Sequence, residues 1–543
     1  MSKRYIIRDP LSLHREGVLK SRKLVAWKDN ISVAEYIAEF LKPCLGPRGM
    51  HKMVIDKFDE TGITNDGAVI LDKLDLHHPV AKVLREAAKT VETMVGDGSK
   101  TTIILIGELL KRAERLVSHK VKVSKIIDGY LIAYNIALKR LREMSKPIEK
   151  VADNTLRSFI FTLFNSKNIH DARLLADITT KALRHVIENS KSKELLDTNN
   201  IRIVKKIGKS LEESIVIKGI VIDKKIVHPS MPRIVKDAKI AVLNMALKID
   251  EFRHFQPYKY QITISNPLHV TQFLEEERNL IKDVVNKILS LGVNAVICRK
   301  RIGKIASQLL ADAGVMAIGR LLKEEDFYNV ARFTGANIVS DLDDLREEDL
   351  GKAALIREEK IGEDRVVIIE GCDHSEGVTI LLRAGLERLL DEVEHAIKDA
   401  VKYVASLLQE PLYVPGGGAV EEALAITIRN ESTKYSGKEQ VAMHAFANAL
   451  ENIPRILISN SGYNPVDIIP ELMSKHVGGE YYYGFDPYTG AVANMLEKNV
   501  IESYKAKEQI LKTSVETAVM LLRIDEVVDR RYAKRHEGEL GGQ

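Results

Sequence analysis

A glycine-rich segment at residues 96–102 combines residue types that bind phosphate and metal ions. It reads Gly-Asp-Gly-Ser-Lys-Thr-Thr. Its glycines let a backbone approach a ligand closely, and the helix predicted to follow offers free N–H groups and a positive dipole end to an anion. The hydroxyl groups of Ser99, Thr101 and Thr102 can add contacts, and the Asp97 carboxylate can hold Mg²⁺ beside a phosphate. Taken alone, the segment is also typical of a turn with a helix cap, and it lacks the GxxxxGK[ST] pattern of a P-loop.

Three further glycine-containing turns are candidate ligand contacts. Residues 45–50 read Leu-Gly-Pro-Arg-Gly-Met and residues 65–67 read Asn-Asp-Gly, and each by itself indicates an ordinary turn. Residues 416–418 are three consecutive glycines ahead of a predicted helix at 419–428. Because three glycines are costly in backbone entropy, they indicate either a site from which side chains are excluded or a linker. Asp399 has the periodicity of a solvated helix residue, and nothing local marks it as catalytic.

The elements that must hold these turns follow from the spacing of apolar residues. Helical periodicity predicts a helix from Pro79 to the glycine at 96, and a second one directly after residue 98 that is apolar nearly all round and therefore buried. After about residue 215, short β-branched runs alternate with amphipathic helices, which is typical of an α/β module. No Ser/Gly-rich linker flanks this module, so we expect it to be inserted into the helical part. The strands predicted after residue 215 are 240–243, 293–298, 315–318, 366–369 and 378–382, and one earlier strand is predicted at 53–55. The other clear helices are 31–45, which ends near Pro43, 268–290, 303–313, 387–410, 440–458 and 506–523.

The composition excludes several classes of protein. The 543 residues carry a formal net charge of only +5, and eight basic against three acidic residues within positions 1–30 account for it. A dedicated nucleic-acid binder usually carries a strong basic stripe, so we expect no specific nucleic-acid partner; the basic end is either a solvated arm or the contact for an anionic partner. Three distant cysteines without a CxxC pair indicate a reducing cytoplasm rather than a disulfide framework. No apolar run reaches the roughly 18 residues of a membrane span, and the N-terminus does not resemble a signal peptide.

Together and in this order, the segments resemble those of the group II chaperonins, the thermosomes of archaea and their eukaryotic cytosolic relatives. The resemblance extends from about residue 26 to residue 528 and is greatest to archaeal thermosome subunits. Any one phrase is a weak signal, but the ordered set over this length is specific. The matching phrases are residues 45–50, 64–68 (Thr-Asn-Asp-Gly-Ala), 96–98, 414–421 (Val-Pro-Gly-Gly-Gly-Ala-Val-Glu) and 521–525 (Leu-Leu-Arg-Ile-Asp).

The resemblance implies a multidomain fold, α plus α/β, with three nested domains. A helical equatorial domain, 1–149 and 405–543, binds ATP, and a hinge-like intermediate domain comprises 150–218 and 373–404. An inserted α/β apical domain, 219–372, binds non-native proteins and carries a helical protrusion that serves as a lid. The resemblance further implies a cytoplasmic, ATP-dependent chaperone whose subunits, identical or mixed, form two stacked rings. The alternative is a modulatory or structural subunit of a mixed ring with weak ATPase activity.

The resemblance also assigns roles to individual residues around ATP or ADP and Mg²⁺. Asp97 resembles the aspartate that holds Mg²⁺, and Asp66 and Asp399 resemble the pair that orients and activates the attacking water. Lys167 resembles a loop lysine that senses the γ-phosphate, and Glu502 lies where an acidic group meets the ribose. The remaining nucleotide contacts that the resemblance implies are Leu45, Gly46, Pro47, Gly98, Ser99, Lys100, Thr101 and Gly417.

Several positions depart from the family pattern. Lys100 replaces the second of three threonines, and there it can neutralise phosphate charge, slow product release or simply point outward. Asn494 stands in place of an expected aspartate, and Asn499 and Ser503 stand in place of a glycine and a proline. The C-terminal tail lacks Gly-Gly-Met repeats. Because both candidate catalytic aspartates are present, we nevertheless expect an active ATPase.

A group of aromatic residues falls where the family has its helical protrusion, within residues 245–280. Aromatic residues make up only 6% of the chain, so their clustering is noticeable. They are either contacts for the lid or for client proteins, or they pack the protrusion locally. The residues are Phe252, Phe255, Tyr258, Tyr260 and Phe273.

Overall fold

The structure is a computed structural model of the chain. It describes residues 19–20, 23–55, 61–74, 76–148, 152–189, 196–248, 267–362, 364–372, 377–524 and 528–529. Most of the basic N-terminal arm and the C-terminal tail fall outside these ranges, as do Phe252, Phe255, Tyr258, Tyr260 and the side chain of Phe273. No helix within the described ranges is long and apolar enough to cross a bilayer.

The chain divides into two compact units. One contains both chain ends, Met1–Ala176 and His395–Gln543, and the other is the intervening segment Asp177–Glu394. The insertion of a middle segment between two parts of a helical unit agrees with the order of elements expected from the sequence. The finer division into three domains, with boundaries near 150, 219, 373 and 405, stays a prediction.

Helices occur in both units and account for most of the first. In chain order they are α1 (Lys23–Leu41), α2 (Gly67–Lys73), α3 (Pro79–Val95), α4 (Ser99–Ser118), α5 (Val123–Met144), α6 (Asp153–Ser166), α7 (Ala172–Asn189), α8 (Pro267–Ser290), α9 (Lys304–Asp312), α10 (Glu324–Thr334), α11 (Glu387–Gln409), α12 (Ala419–Ser432), α13 (Lys438–Asn460), α14 (Pro465–Val477) and α15 (Tyr504–Leu522). The periodicity therefore predicted α3 and α4 closely.

The strands within the described residues belong to six small or medium sheets. In chain order they are β1 (Leu19–Lys20), β2 (Lys52–Ile55), β3 (Thr61–Thr64), β4 (Lys146–Pro147), β5 (Ile201–Ile207), β6 (Ile215–Ile217), β7 (Gly219–Ile222), β8 (Ile234–Leu243), β9 (Ala295–Cys298), β10 (Met316–Ile318), β11 (Ile338–Val339), β12 (Gly351–Ile361), β13 (Asp364–Glu370), β14 (Val378–Ala384), β15 (Leu412–Pro415), β16 (Tyr483–Asp486), β17 (Ala491–Asn494), β18 (Ile501–Ser503) and β19 (Val528–Asp529).

Helix α4 forms the centre of the first unit. Its residues from Thr102 to Leu110 are buried on every face, as expected from a helix that is apolar nearly all round. It packs against α1, α13 and α15. A Cβ atom on Gly107 would lie 2.3 Å from the Cβ of Ala38, so this glycine lets α1 and α4 approach closely. The core thus fixes the N-terminus of α4, which carries the glycine-rich segment.

Short strands bring the other turns toward this helix. Strand β15 pairs antiparallel with β18, and Val414 lies opposite Glu502 in the register. This pairing places Glu502 beside the triple glycine that follows β15. Strands β16 and β17 form a hairpin, and the Phe485 N–H in β16 donates a 2.9 Å hydrogen bond to the Gly417 carbonyl. The triple glycine is therefore bound on two sides by strands from the C-terminal part of the chain.

The second unit is an α/β unit, as the alternating pattern predicted. Its larger sheet has the strand order β10-β9-β8-β12-β13-β7, with β11 also paired to β8. Strands β8, β9 and β10 are parallel and are connected through α8 and α9, whereas β12 and β13 are antiparallel. A separate three-stranded sheet contains β5, β14 and β6. All five strands predicted after residue 215 correspond to strands of this unit, and the strand predicted at 53–55 corresponds to β2 of the first unit.

The N-terminal helix differs from the prediction of a helix over 31–45. Helix α1 begins at Lys23 and ends at Leu41, and a single 3₁₀ turn, Lys42–Cys44, follows it. Pro43 lies within this turn, where its missing N–H removes no helical hydrogen bond of α1.

Candidate functional site

A cavity of about 850 Å³ lies within the first unit, and three of the four glycine-containing segments, 45–50, 96–102 and 416–418, contribute to its lining, whereas the turn at 65–67 does not. Its size is that of a typical small-molecule site. The aromatic side chains of Tyr403 in α11 and Phe161 in α6 form part of its wall, and Lys498 contributes a positive charge. The predicted nucleotide contacts that line it are Leu45, Gly46, Pro47, Asp97, Gly98, Lys100, Thr101, Gly417 and Glu502.

Glycines shape the cavity because side chains would collide with its walls. Gly98 has φ 101° and caps α4, and a Cβ atom there would lie 2.4 Å from a side-chain carbon of Ile510. Gly417 has φ 65°, and its Cβ would lie 2.7 Å from the sulfur of Met495. Both conformations are left-handed, which favours glycine. The triple glycine is therefore a wall of the cavity, and the linker interpretation is wrong.

The four other predicted residues lie outside the cavity lining but are buried. Asp66, Lys167 and Asp399 are 6%, 3% and 0% exposed, and Ser99 is buried in the first turn of α4. The Lys167 ammonium donates a hydrogen bond of 2.8 Å to Oδ2 of Asp66 and another to Oδ2 of Asp399. The three side chains therefore form one buried cluster, which we call the aspartate–lysine cluster.

Asp66 is held by a local helix start. Its Oδ1 accepts the N–H groups of Ala68 at 2.9 Å and of Val69 at 3.2 Å, so it is the N-cap of α2. The predicted turn at 65–67 thus continues directly into a helix. With Oδ1 bound to backbone and Oδ2 bound to Lys167, the orientation of this carboxylate is fixed.

The charges of the cluster set unequal proton affinities. Burial by itself would raise the pKa of Asp66, but the ammonium of Lys167, together with His395 and Lys100, holds that pKa well below its ordinary value. Burial raises the pKa of Asp399 to about 6, against the opposing effect of Lys167 and His395. Burial disfavours a charged Lys167, yet Asp399 and Asp66 raise its pKa well above the ordinary range. The cluster therefore contains a permanent anion, a permanent cation and a carboxyl group that titrates near neutral pH.

Lys100 points into the protein, which rules out the outward orientation. Its side chain is buried, and its ammonium donates hydrogen bonds to the Cys44 carbonyl at 2.9 Å, to Oδ1 of Asn65 and, at 3.4 Å, to the Ser166 carbonyl. These acceptors are neutral, so no carboxylate among the described residues bonds it directly. Burial lowers its pKa to about 8, although Asp66 and Asp97 act in the opposite direction. The lysine places a positive charge between the cavity and the aspartate–lysine cluster.

Glu502 belongs to a second buried ion pair at the cavity wall. The Lys507 ammonium lies 2.8 Å from Oε2 of Glu502 and 2.7 Å from Oε1 of Glu421. Burial and the Glu421 carboxylate raise the pKa of Glu502, whereas Lys507 lowers it. Oε2 of Glu421 has no hydrogen-bond partner among the described residues. Two buried carboxylates at this part of the wall therefore share one ammonium group.

Asp97 is the carboxylate suited to a metal ion. It lines the cavity, as does Thr101, and among the described residues no hydrogen bond or ion pair joins its side chain to another side chain. An available carboxylate and a hydroxyl at a cavity fit the oxygen ligands that Mg²⁺ prefers. Asp66 fits less well, because both of its oxygens are already bound.

Several cavity residues were missed by the sequence interpretation. Tyr488 donates a 2.6 Å hydrogen bond to Oδ1 of Asn165, and the Arg48 guanidinium lies 5.0 Å from the centre of its ring. All three line the cavity, as does Lys507. Tyr488 lies in a Pro-Tyr-Thr-Gly turn, which is an ordinary turn signal, so nothing in the sequence pointed to a cavity wall. His395 near Asp399 was also missed.

The departures from the family pattern have local explanations in the structure. Asn499 has φ 56°, a left-handed conformation that asparagine tolerates better than most residues. Ser503 is the N-cap of α15 and accepts the Ala506 N–H at 3.5 Å. Asn494 accepts the Leu496 N–H at 3.1 Å and donates to Glu497. Asn494 does not line the cavity, in contrast to Lys100.

Comparison with known proteins identifies relatives over nearly the whole chain. The model of the TCP-1/cpn60 chaperonin family matches residues 37–531. The chain is 42% identical to thermosome subunit beta of Desulfurococcus mucosus over 92% of this chain and 99% of that one. It is 39% identical to thermosome subunit alpha of Archaeoglobus fulgidus over 98% of each chain. It is 41% identical to a thermosome subunit of Methanopyrus kandleri over 93% of this chain and 92% of that one.

Proposed function

We propose that this chain, which belongs to the TCP-1/cpn60 chaperonin family, is an ATP-hydrolysing subunit of a double-ring chaperonin that encloses and folds non-native proteins. The observation that carries the ATPase proposal is the aspartate–lysine cluster beside a cavity walled by glycine turns. We include in the proposal the three nested domains, a built-in lid in the apical domain and a cytoplasmic location.

ATP is the substrate that this cavity would take. The free N–H groups at the start of α4 suit its phosphates, with Gly98, Ser99 and Thr101 as the cradle. Leu45, Gly46 and Pro47 would contribute from another segment of the cavity wall, and Gly417 and Glu502 would lie toward the base and ribose in this arrangement. Asp97 would hold Mg²⁺, which would supply charge neutralisation of the phosphates.

The aspartate–lysine cluster would act on the attacking water. Asp399, whose pKa is raised to about 6, is ionised in most molecules at neutral pH and can accept a proton from water. Asp66 is fixed as an anion and would orient that water. Lys167 would move its ammonium from the carboxylates toward the γ-phosphate when ATP enters. Phosphoryl transfer needs mainly positioning and charge neutralisation, and this set contains the types of side chain that supply both.

Lys100 gives the phosphate site an additional positive charge. Its ammonium is bound by neutral carbonyl oxygens, so its charge remains available to an anion in the cavity. We propose that it neutralises phosphate charge, and slow release of ADP is the expected consequence. This would lower the rate of turnover without removing it.

A modulatory subunit with weak ATPase activity is the less favoured alternative. Such a subunit would be expected to lose some of its catalytic groups, whereas Asp66, Lys167 and Asp399 contact one another here and Asp97 lines the cavity. Under either proposal, the partners of this chain are other chaperonin subunits. If the chain is an ATP-hydrolysing chaperone subunit, non-native proteins are partners as well.

The ATPase proposal is tested with Asp399→Ala. We expect the variant to bind nucleotide with unchanged affinity and to lose nearly all ATP hydrolysis. The matched control is Asp391→Ala, the same change two turns earlier on α11 at an exposed position. Retention of turnover in Asp399→Ala would refute the assigned role. Electron microscopy of the purified chain tests assembly: double rings are expected, and monomers alone would favour the alternative of an obligate mixed ring.

A further inference from the structure

His395 lies one helical turn before Asp399 on α11, and the proposed reaction assigns it no step. Its Nε2 is 3.7 Å from Oδ2 of Asp399 and 3.3 Å from Oε1 of Glu92 on α3. The imidazole therefore lies within ion-pair distance of both the carboxylate of α3 and the buried carboxylate of the aspartate–lysine cluster, as does the ammonium of Lys402. Its side chain is 36% exposed, whereas that of Asp399 is 0% exposed.

The charged groups around His395 come from four segments. Glu92 faces it from α3, Asp399 and Lys402 from α11, Asp66 from the start of α2, and the Lys167 ammonium from the end of α6. Lys402 lies 3.5 Å from Oδ1 of Asp399 and 3.9 Å from Glu92. Three carboxylates thus face two ammonium groups, and a protonated imidazole supplies the missing positive charge. Burial lowers the pKa of His395, but Glu92, Asp399 and Asp66 together raise it above the ordinary value.

We propose that His395 is a positioning residue whose imidazolium, held between Glu92 and Asp399, keeps Asp399 ionised in mildly acidic solution and thereby sets the lower pH limit of ATP hydrolysis. This inference rests on the proposed ATPase function. His395 touches Asp399 and not the reacting atoms, so it acts through that carboxylate. An opposite charge at 4–6 Å or less typically lowers a carboxyl pKa by about one unit or more.

The first experiment measures kcat for ATP hydrolysis against pH in the full chain, its His395→Gln variant and its His395→Lys variant. In His395→Gln we expect the acidic limb of the profile to move to higher pH by about one unit, with KM for ATP unchanged. His395→Lys restores a permanent positive charge, so its limb should return toward the parent position. His119→Gln, at an exposed histidine at the end of α4, is the matched control and should leave the profile unchanged.

Two results would overturn the inference. One is an acidic limb that stays in place in His395→Gln, including the case in which kcat falls equally at every pH, because that indicates a structural role only. The other is a lysine variant that behaves like the glutamine variant. If His395→Gln fails to assemble, His395→Asn provides the second variant, and it should shift the limb in the same direction as expected for His395→Gln.

A measurement without ATP separates this inference from the proposed function. Carbethoxylation of His395, followed by mass spectrometry over a pH series, reports its protonation directly. We expect its reactivity midpoint to fall in Asp399→Asn relative to the parent, because the imidazolium loses a facing carboxylate. An unchanged midpoint would refute the coupling even in an active ATPase, whereas a shifted midpoint in a chain without ATPase activity would refute the proposed function alone.

Discussion

The Lys167 ammonium donates a 2.8 Å hydrogen bond to Oδ2 of Asp66, and both side chains are almost fully buried. The same ammonium contacts Asp399, so one cation joins the end of α6, the start of α2 and the middle of α11. Two carboxylates this close to each other would repel if neither were paired. Lys167 therefore permits two buried anionic groups to share one site, which is the arrangement on which the ATPase proposal depends.

Replacement of Lys167 by methionine should destabilise the protein as well as stop hydrolysis. Removal of one partner of a buried ion pair leaves an uncompensated charge, which costs about 3 kcal/mol or more of unfolding free energy. We expect urea unfolding of Lys167→Met to show that loss near pH 7.5, with a smaller loss near pH 5, where Asp399 takes up a proton. Lys89→Met, at an exposed position of α3, serves as the control and should unfold like the parent. Equal stability of Lys167→Met and the parent would contradict the pairing.

The environment of Lys100 predicts a pH-dependent contribution to stability in the nucleotide-free protein. Burial lowers its pKa to about 8 from an ordinary 10.5, so between these values the unfolded chain binds more protons than the folded one. Stability must then rise as pH increases through this window, by about 2 kcal/mol between pH 8 and pH 10. Lys100→Met lacks this titrating group. The free energy of unfolding of the parent, measured with urea, should therefore rise by that amount relative to the variant between pH 8 and pH 10. A constant difference between the two proteins would show that Lys100 is not buried as a cation.

The sequence predicted the elements around the site better than the contacts inside it. Helices α3 and α4 followed from apolar spacing, because each buries one face or all faces against a single core. The glycine turns were recognisable because left-handed backbone and close approach favour one residue type. Asp399 and Lys167, in contrast, carry no local signal. They were identified through the family resemblance alone, since their proximity arises from the packing of segments more than 200 residues apart.

The orientation of single side chains was the least predictable feature. Nothing in the sequence distinguished an outward Lys100 from the buried one, because the outcome depends on the carbonyl groups of Cys44 and Ser166, which belong to other segments. Lys507 and Tyr488 were missed for the same reason. Their partners, Glu421 and Asn165, are distant in sequence, and neither residue belongs to a motif with a chemical meaning.

Glu422 in α12 presents a buried carboxylate that the proposed mechanism does not use. It is 0% exposed, and neither of its oxygens has a hydrogen-bond partner in the described part of the chain. Burial and the nearby Glu451 raise its pKa to about 7, although Arg429 and Arg455 oppose them. The folded protein therefore holds a proton at this position over a range in which the unfolded chain, with an ordinary value of 4.5, has lost it.

Stability should for this reason fall as pH rises from about 4.5 to 7, and Glu422→Gln should remove that fall. The parent is expected to lose about 2.5 kcal/mol relative to the variant between pH 5 and pH 8. Urea unfolding at several pH values gives the free energy of unfolding of the parent and of the variant, and the pH-dependent part of the difference between them is the quantity of interest. A change in stability that the amide causes equally at every pH cancels in this comparison. Glu431→Gln, at the other end of the same helix and paired to Lys434 at the surface, is the matched control and should follow the parent. A Glu422→Gln variant that also tracks the parent across the whole range would mean that Glu422 is ionised and paired in the folded protein.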